Sequence, residues 1–77
     1  MKAYILVNTD SGSLWEVSKA ALKIEGVKMA HAVTGEFEVI AYVEFESIAD
    51  LERVVSEFHS LHGVKKTQSC IAISTQS

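Results

Sequence analysis

Between Glu36 and Glu46 the side chains change character at every step: Phe37, Val39, Ala41, Val43 and Phe45 hold the odd positions. Glu36, Glu38, Ile40, Tyr42, Glu44 and Glu46 hold the even ones. Successive side chains of a β-strand project to opposite faces, so this run predicts a strand with one face buried in a core. Such a strand needs neighbours for its backbone polar groups and a layer to cover its apolar side. A chain of 77 residues has room for one sheet and one such layer.

The rest of the chain supplies both. Ala3 to Val7 is a short apolar run with β-branched residues, ended by Asn8-Thr9-Asp10-Ser11-Gly12, and reads as the first strand. Ser13-Leu14-Trp15-Glu16 has the spacing of a capping box, and Leu14, Val17, Ala21 and Ile24 follow at helical intervals. A helix is therefore predicted over 14–24, with Gly26 as the left-handed residue behind its last turn. Val27 to Thr34 alternates imperfectly through Val27, Met29, His31 and Val33 and gives the second strand, with a turn at Thr34-Gly35-Glu36. Ser47 can cap the second helix, with Asp50 standing in for the capping-box glutamate. Its apolar stripe is Ile48, Leu51, Val54, Val55, Phe58 and Leu61, and Gly63 closes it. Val64 to Ser74 is the last strand. Glu25-Gly26-Val27-Lys28 is echoed by His62-Gly63-Val64-Lys65, each string opening a strand behind a helix. The order is βαββαβ. Right-handed crossovers place both helices on one face of a four-stranded antiparallel sheet, the ferredoxin-like α+β arrangement.

One sheet face is then left over. Ile40 and Tyr42 fall at its centre with glutamates toward both ends, and Tyr4 and Leu6 have matching parity on the first strand. An apolar centre with a charged rim is the anatomy of a protein interface, which predicts a homodimer sealed through Tyr4, Leu6, Ile40 and Tyr42. Half-exposed aromatics on strands are also common without a partner. Trp15 lies off the Leu14–Val17–Ala21 line and is a candidate for a second interface.

Composition excludes several functions. Cys70 is the only cysteine, so no disulfide can form within the chain and an intracellular, cytoplasmic setting is expected. Ten acids against seven bases give a net charge of −3, which argues against direct nucleic-acid binding. The apolar runs are too short to cross a membrane, and no signal-peptide pattern opens the chain. His59 and His62 are three apart, but His-x-x-His without cysteine or carboxylate support is a weak metal signal, and no metal or cofactor is expected. Cys70 has no CxxC partner and reads as an inert buried thiol. The only arginine, Arg53, lies mid-helix, so an arginine cradle for an acylphosphatase-like site is missing.

Two polar clusters remain: the turn Thr34-Gly35-Glu36-Phe37-Glu38, and Thr67-Gln68-Ser69 at the start of the last strand. Gly35 permits a backbone that aims amide N–H groups at an anion, Glu36 and Glu38 can take an ammonium, and Thr67 and Ser69 carry hydroxyls that donate and accept. These groups suit a free amino acid, and they equally suit a plain hairpin turn with a charged rim.

The strings Gly26-Val27-Lys28, Val33-Thr34-Gly35-Glu36-Phe37-Glu38 and Gly63-Val64-Lys65-Lys66-Thr67-Gln68-Ser69 resemble the effector-binding (RAM) domain of the leucine-responsive/asparagine-operon (Lrp/AsnC) family of transcription regulators. The similarity runs over essentially the whole chain. Full-length members add an N-terminal helix-turn-helix, for which this length leaves no room. The resemblance thus implies a stand-alone effector domain over 1–77 with no enzymatic activity. It implies dimers of the α+β barrel or sandwich type that assemble into rings, commonly octamers, and association with full-length regulators. It further implies an amino-acid effector held by Thr34, Gly35, Glu36, Phe37 and Glu38, with Thr67 and Ser69 adding polar contacts. Where the family usually has Tyr-Asp, this chain has Phe37-Glu38: a phenolic hydroxyl is missing and the carboxylate sits one methylene further out. The alternative is a small dimeric α+β-barrel enzyme of the monooxygenase or isomerase kind, with His31 facing an apolar substrate. Strand parity poses one conflict, because Thr67 and Ser69 share a face with Ile71 and Ile73, which read as core, so a bulge is expected there.

Overall fold

The computed structural model describes residues 1–73. Six elements follow in the expected order: β1 (Lys2–Thr9), α1 (Leu14–Ala21), β2 (Val27–Ala32), β3 (Val39–Glu44), α2 (Ile48–His59) and β4 (Val64–Ile71). The four strands form one antiparallel sheet in the order β2-β3-β1-β4, and the βαββαβ chain crosses over twice to place β1 and β3 at its centre. This is the ferredoxin-like fold.

The alternation in β3 decides which side the helices cover. Val39, Ala41 and Val43 are fully buried and stand opposite Val7, Ile5 and Ala3 of β1, which are also fully buried. Val17 and Ala21 of α1 and Leu51, Val54 and Phe58 of α2 close over them, with Ile24, Val27 and Phe45 completing the core. Phe58 is the largest side chain wholly removed from water.

Local chemistry sets the boundaries. Ser47 behaves as expected: its hydroxyl accepts from the Asp50 N–H at 3.2 Å, while the Asp50 carboxylate accepts from the Glu46 N–H at 3.2 Å. Ser13 does not. Its side chain makes no cap bond and lies beside Gly63, where an added Cβ would be 2.6 Å from the Ser13 Cβ. Helix α1 ends at Ala21 rather than 24, since Lys23 and Ile24 donate to the carbonyls of Ala20 and Ala21, a tighter 3₁₀-type turn. The echo between Gly26 and Gly63 has a structural meaning. Both have positive φ (100° and 94°), and each offers its carbonyl to the end of a strand, Gly26 to Glu44 N–H at the end of β3 and Gly63 to Asp10 N–H just after β1.

Strands β2 and β3 are shorter than the sequence predicts. Val33 N–H donates to the Glu38 carbonyl and Glu38 N–H to the Val7 carbonyl, so residues 34–37 leave the ladder and turn. A register shift between Val27 and Met29 explains the imperfect alternation of β2: Val27 is buried, whereas Met29 and His31 stand opposite Tyr42 and Ile40.

The parity conflict in β4 resolves against core positions. Thr67, Ser69 and Ile71 pair with Val7, Ile5 and Ala3, so all three have the parity of the helix side. The irregularity lies earlier, between Asn8 and Thr9 of β1. Ile71 is nevertheless 44% exposed and Ile73 99% exposed, and Ser69 on the same face is exposed as well, whereas Thr67 nearer the start of the strand is half-buried. Cys70 faces the other way, opposite Tyr4, and is exposed rather than buried. Ser74, the expected end of the strand, lies outside the described residues.

Candidate functional site

The uncovered sheet face is built in two rows with apolar centres. Met29, Tyr42, Tyr4 and Cys70 run across one, and His31, Ile40, Leu6 and Gln68 across the next. Tyr4 and Tyr42 stand directly opposite each other with ring centroids 5.4 Å apart and planes tilted by 50°, within the contact range of an aromatic pair. Tyr4 remains 43% exposed and Met29 49%. The rim is not uniformly acidic: Glu44 stands opposite Lys2 and accepts from the Tyr42 hydroxyl, while Lys66 stands opposite Asn8 at the far end.

At that far end the fold fastens the turn 34–38 to the end of β1. Asn8 Nδ2 donates to the Glu36 carbonyl at 2.6 Å and lies 3.4 Å from Glu38 Oε1. Glu38 Oε1 also accepts from the Thr9 backbone N–H at 2.7 Å. One carboxylate oxygen of Glu38 is thus committed to the fold, and among the described residues Oε2 accepts from nothing. Thr34, Gly35 and Glu36 are exposed, and Phe37 is half-buried.

Asn8 and Thr9 were not singled out from the sequence, where they read only as the end of a strand. The βαββαβ order contained the signal, because it seats β1 beside β3 and so brings the end of one to the start of the other.

Thr67 and Ser69 lie elsewhere. Strand β1 separates β4 from β3, and both residues have helix-side parity, whereas Glu38 shares the parity of the open face with Asn8. The Thr67 hydroxyl is 3.1 Å from His59 Nε2, and Ser69 is exposed. One chain does not bring these two hydroxyls to the turn 34–38.

The histidines assemble no metal centre: no group of three or more His, Cys, Asp or Glu side chains with metal-holding geometry occurs among the described residues. Arg53 fastens α2 to the turn that precedes β2. It donates to Asp50 Oδ1 from Nε at 3.1 Å and Nη2 at 2.9 Å, to Glu57, and to the Glu25 carbonyl at 3.0 Å. The Arg53 hydrogen bond, aided by the Glu46 N–H, holds the Asp50 carboxyl below its usual range. Two concavities stand out among the described residues. A polar one of about 670 Å³ lies beside Arg53, Asp50 and Glu46, and a smaller one of about 530 Å³ lies between Trp15 and Thr34. His31 lines neither. No helix among the described residues is long and apolar enough to cross a membrane.

A ferredoxin-like sheet with one bare apolar face and a pinned polar turn at its corner defines a small α+β binding domain. Its family is the Lrp/AsnC ligand binding domain, to which the chain belongs: that family's profile matches residues 2–77. The chain is 33% identical over 60 residues to the HTH-type transcriptional regulator LysM of Saccharolobus solfataricus, covering 78% of this chain and 42% of that protein. It spans about half the length, or somewhat less, of the curated relatives it matches. Among solved structures it is similar to the hypothetical protein PHS023 from Pyrococcus horikoshii, with a TM-score of 0.85 and 32% identity over 96% of this chain and 90% of that one. It is also similar to the transcriptional regulator NMB0573 of Neisseria meningitidis, solved as an L-Met complex. There the TM-score is 0.83 and the identity 25%, over 95% of this chain and 49% of that one.

Proposed function

We propose that residues 1–77 form one non-enzymatic effector-binding unit, which pairs through its open sheet face and holds an amino acid at the turn 34–38 where paired units meet. The observation that carries this is the state of Glu38. Its Oε1 is held by Thr9 N–H and Asn8, which fixes the side chain in place, and its Oε2 is left to receive an ammonium group. A carboxylate positioned in advance gives up little freedom on binding. The L-Met complex of the relative NMB0573 supports an amino acid as the ligand class.

The placement of Thr67 and Ser69 fits a site shared between copies. Because they lie on another strand and the other face, a ligand touching both groups takes the turn from one copy and the hydroxyls from a neighbour. A ligand held that way favours the assembled form, since it binds the assembly better than the separate units. A ring of dimers, commonly an octamer in this family, provides repeated junctions of this kind. Tyr4, Leu6, Ile40 and Tyr42 supply the dimer contact, each side chain contributing about 1.5–3 kcal/mol if fully covered. The unit acts in the cytoplasm on full-length regulators of its own family, changing their DNA binding without touching DNA itself.

The test is sedimentation of the chain at micromolar concentration with and without each of the twenty amino acids, alongside calorimetry. The expected result is a dimer or larger particle whose mass rises with one or a few amino acids. A lone 8.4 kDa particle that takes up no amino acid overturns the proposal.

A further inference from the structure

The sheet has two outer edges, and they are built differently. The β2 edge is guarded in the ways natural sheets use: it is 6 residues long, carries Lys28 and is kinked by the register shift between Val27 and Met29. The second half of the β4 edge has none of these guards. From Thr67 to Ile73 it carries no charge, proline or glycine, and Gln68, Ser69, Cys70 and Ile71 are all exposed. The direction of its backbone groups follows from one bond. Ala72 N–H donates to the Lys2 carbonyl, and bonded positions alternate along an antiparallel ladder, so Cys70 and Gln68 turn their backbone groups inward to Tyr4 and Leu6. Thr67, Ser69 and Ile71 turn theirs outward, where no strand stands among the described residues.

We propose that this edge pairs with the β4 edge of a second copy, antiparallel about a two-fold axis at Ser69. Ser69 of one copy then stands opposite Ser69 of the other, and Thr67 of each opposite Ile71 of the other, each pair exchanging two backbone hydrogen bonds. A second β4 is the occupant because the stretch is complementary to itself. This register matches the three outward positions with one another and sets Lys65 and Lys66 opposite Ile73 and Ala72, so no like charges meet. Both helix layers fall on the same side, and the two α2 helices, which pack on β4, flank the seam that holds Ser69 and Ile71. The contact is small, and a few backbone bonds do not meet the cost of associating two single units. It therefore joins units already paired through the open face, rests on that pairing, and makes no use of an effector.

Sedimentation of the intact chain at micromolar concentration, with no ligand added, is expected to give a mass above that of a dimer. Ser69→Pro removes an N–H that the single unit leaves unbonded, a placement edge strands tolerate. It is expected to keep its far-ultraviolet dichroism and to fall to a dimer. Cross-linking gives a second reading, which decides alone if the proline variant loses its dichroism. With Cys70→Ser, Ser69→Cys places two thiols on Cα atoms about 5.5 Å apart, within disulfide reach. Mild oxidation is expected to yield at least tenfold more covalent dimer than from Lys19→Cys in the same background, at an exposed position on α1. A native mass no greater than a dimer, an unaltered mass in a folded Ser69→Pro, or no excess of cross-link overturns the seam and leaves the face pairing standing. A fall of folded Ser69→Pro to a single chain puts β4 inside the face-paired dimer and also overturns the seam. A single chain for the native protein overturns both.

Discussion

Replacing Glu38 tests the fold and the site with one residue, because the proposed function gives its two carboxylate oxygens different tasks. Glu38→Ala removes the acceptor at 2.7 Å from the Thr9 N–H and the weaker contact with Asn8. A hydrogen bond to a charged group contributes about 1.5–3 kcal/mol. Glu38 is only half-buried, and water can partly replace it, which places the loss near the low end, about 1.5–2 kcal/mol. For a domain of this size each kcal/mol moves the melting temperature by about 4–8 °C, so Glu38→Ala should melt roughly 6–16 °C lower. Glu38→Gln keeps a carbonyl oxygen for the Thr9 N–H and should melt close to the native chain. Its effect falls on binding: an ammonium that loses a charged acceptor should bind about 10–100-fold more weakly. Thermal melts followed by far-ultraviolet dichroism, with calorimetry against the amino acid that binds, separate the two tasks. Native-like affinity in Glu38→Gln would refute the assignment of Oε2 to the ligand, and native-like melting in Glu38→Ala would show that Oε1 contributes nothing to the fold.

Three further outcomes follow from the packing. Tyr42→Asp puts a charge at the centre of the open face and should lower the sedimenting mass to that of a single chain; an unaltered profile would remove that face from the interface. Gly63→Ala sets a Cβ 2.6 Å from the Ser13 Cβ at a φ of +94°, and left-handed strain plus overpacking should cost about 2–5 kcal/mol in denaturant titration. Pairing it with Ser13→Gly should return the steric part, and no recovery would show that backbone strain alone is responsible. Asp50 is held below its ordinary value by the Arg53 bond first and the Glu46 N–H second. Its contribution is therefore complete above the unfolded value, about pH 3.9, and is lost as pH falls through the lower folded value. Asp50→Asn should accordingly differ from the native chain in stability near neutrality and converge on it in strong acid. Parallel stability curves would refute the linkage.

What the sequence made legible was whatever depends on near neighbours or on strict periodicity. The alternation of 36–46 fixes which side of β3 meets the helices, and Val39, Ala41 and Val43 are buried as that pattern requires. The stripe Leu51, Val54 and Phe58 is likewise buried, and Ser47 caps α2 with Asp50 answering. Expectations failed where a distant segment intervened. The capping box at Ser13 is a sound local pattern, yet its side chain makes no cap bond and lies beside Gly63, fifty residues on in the chain. Met29 and His31 changed face through a bulge that no side chain announces. Ile71, Ile73 and Cys70 read as interior from their side-chain types and strand position, yet all three are exposed, because how far the covering layer reaches along an edge strand is a tertiary quantity.

The same distinction explains why the candidate site was only half visible. The turn 34–38 could be picked out by its residues, but Asn8 and Thr9, which hold it, enter only through the adjacency of β1 and β3. Thr67 and Ser69 carry the right chemistry on the wrong face of the wrong strand for a site within one chain. A single ferredoxin-like unit exposes both faces of β4 beyond the reach of α2: Ile71 and Ser69 on one side, Cys70 and Gln68 on the other. Under the proposed assembly, burial that is incomplete in one copy is completed between copies, where the polar groups converge. If the exposed end of β4 is part of that assembly, Ile71→Lys should lower the sedimenting mass while leaving the melting temperature of the separated unit nearly unchanged, because Ile71 is already 44% exposed there. A loss of stability with no loss of mass would place Ile71 in the core of the single unit and leave β4 outside the interface.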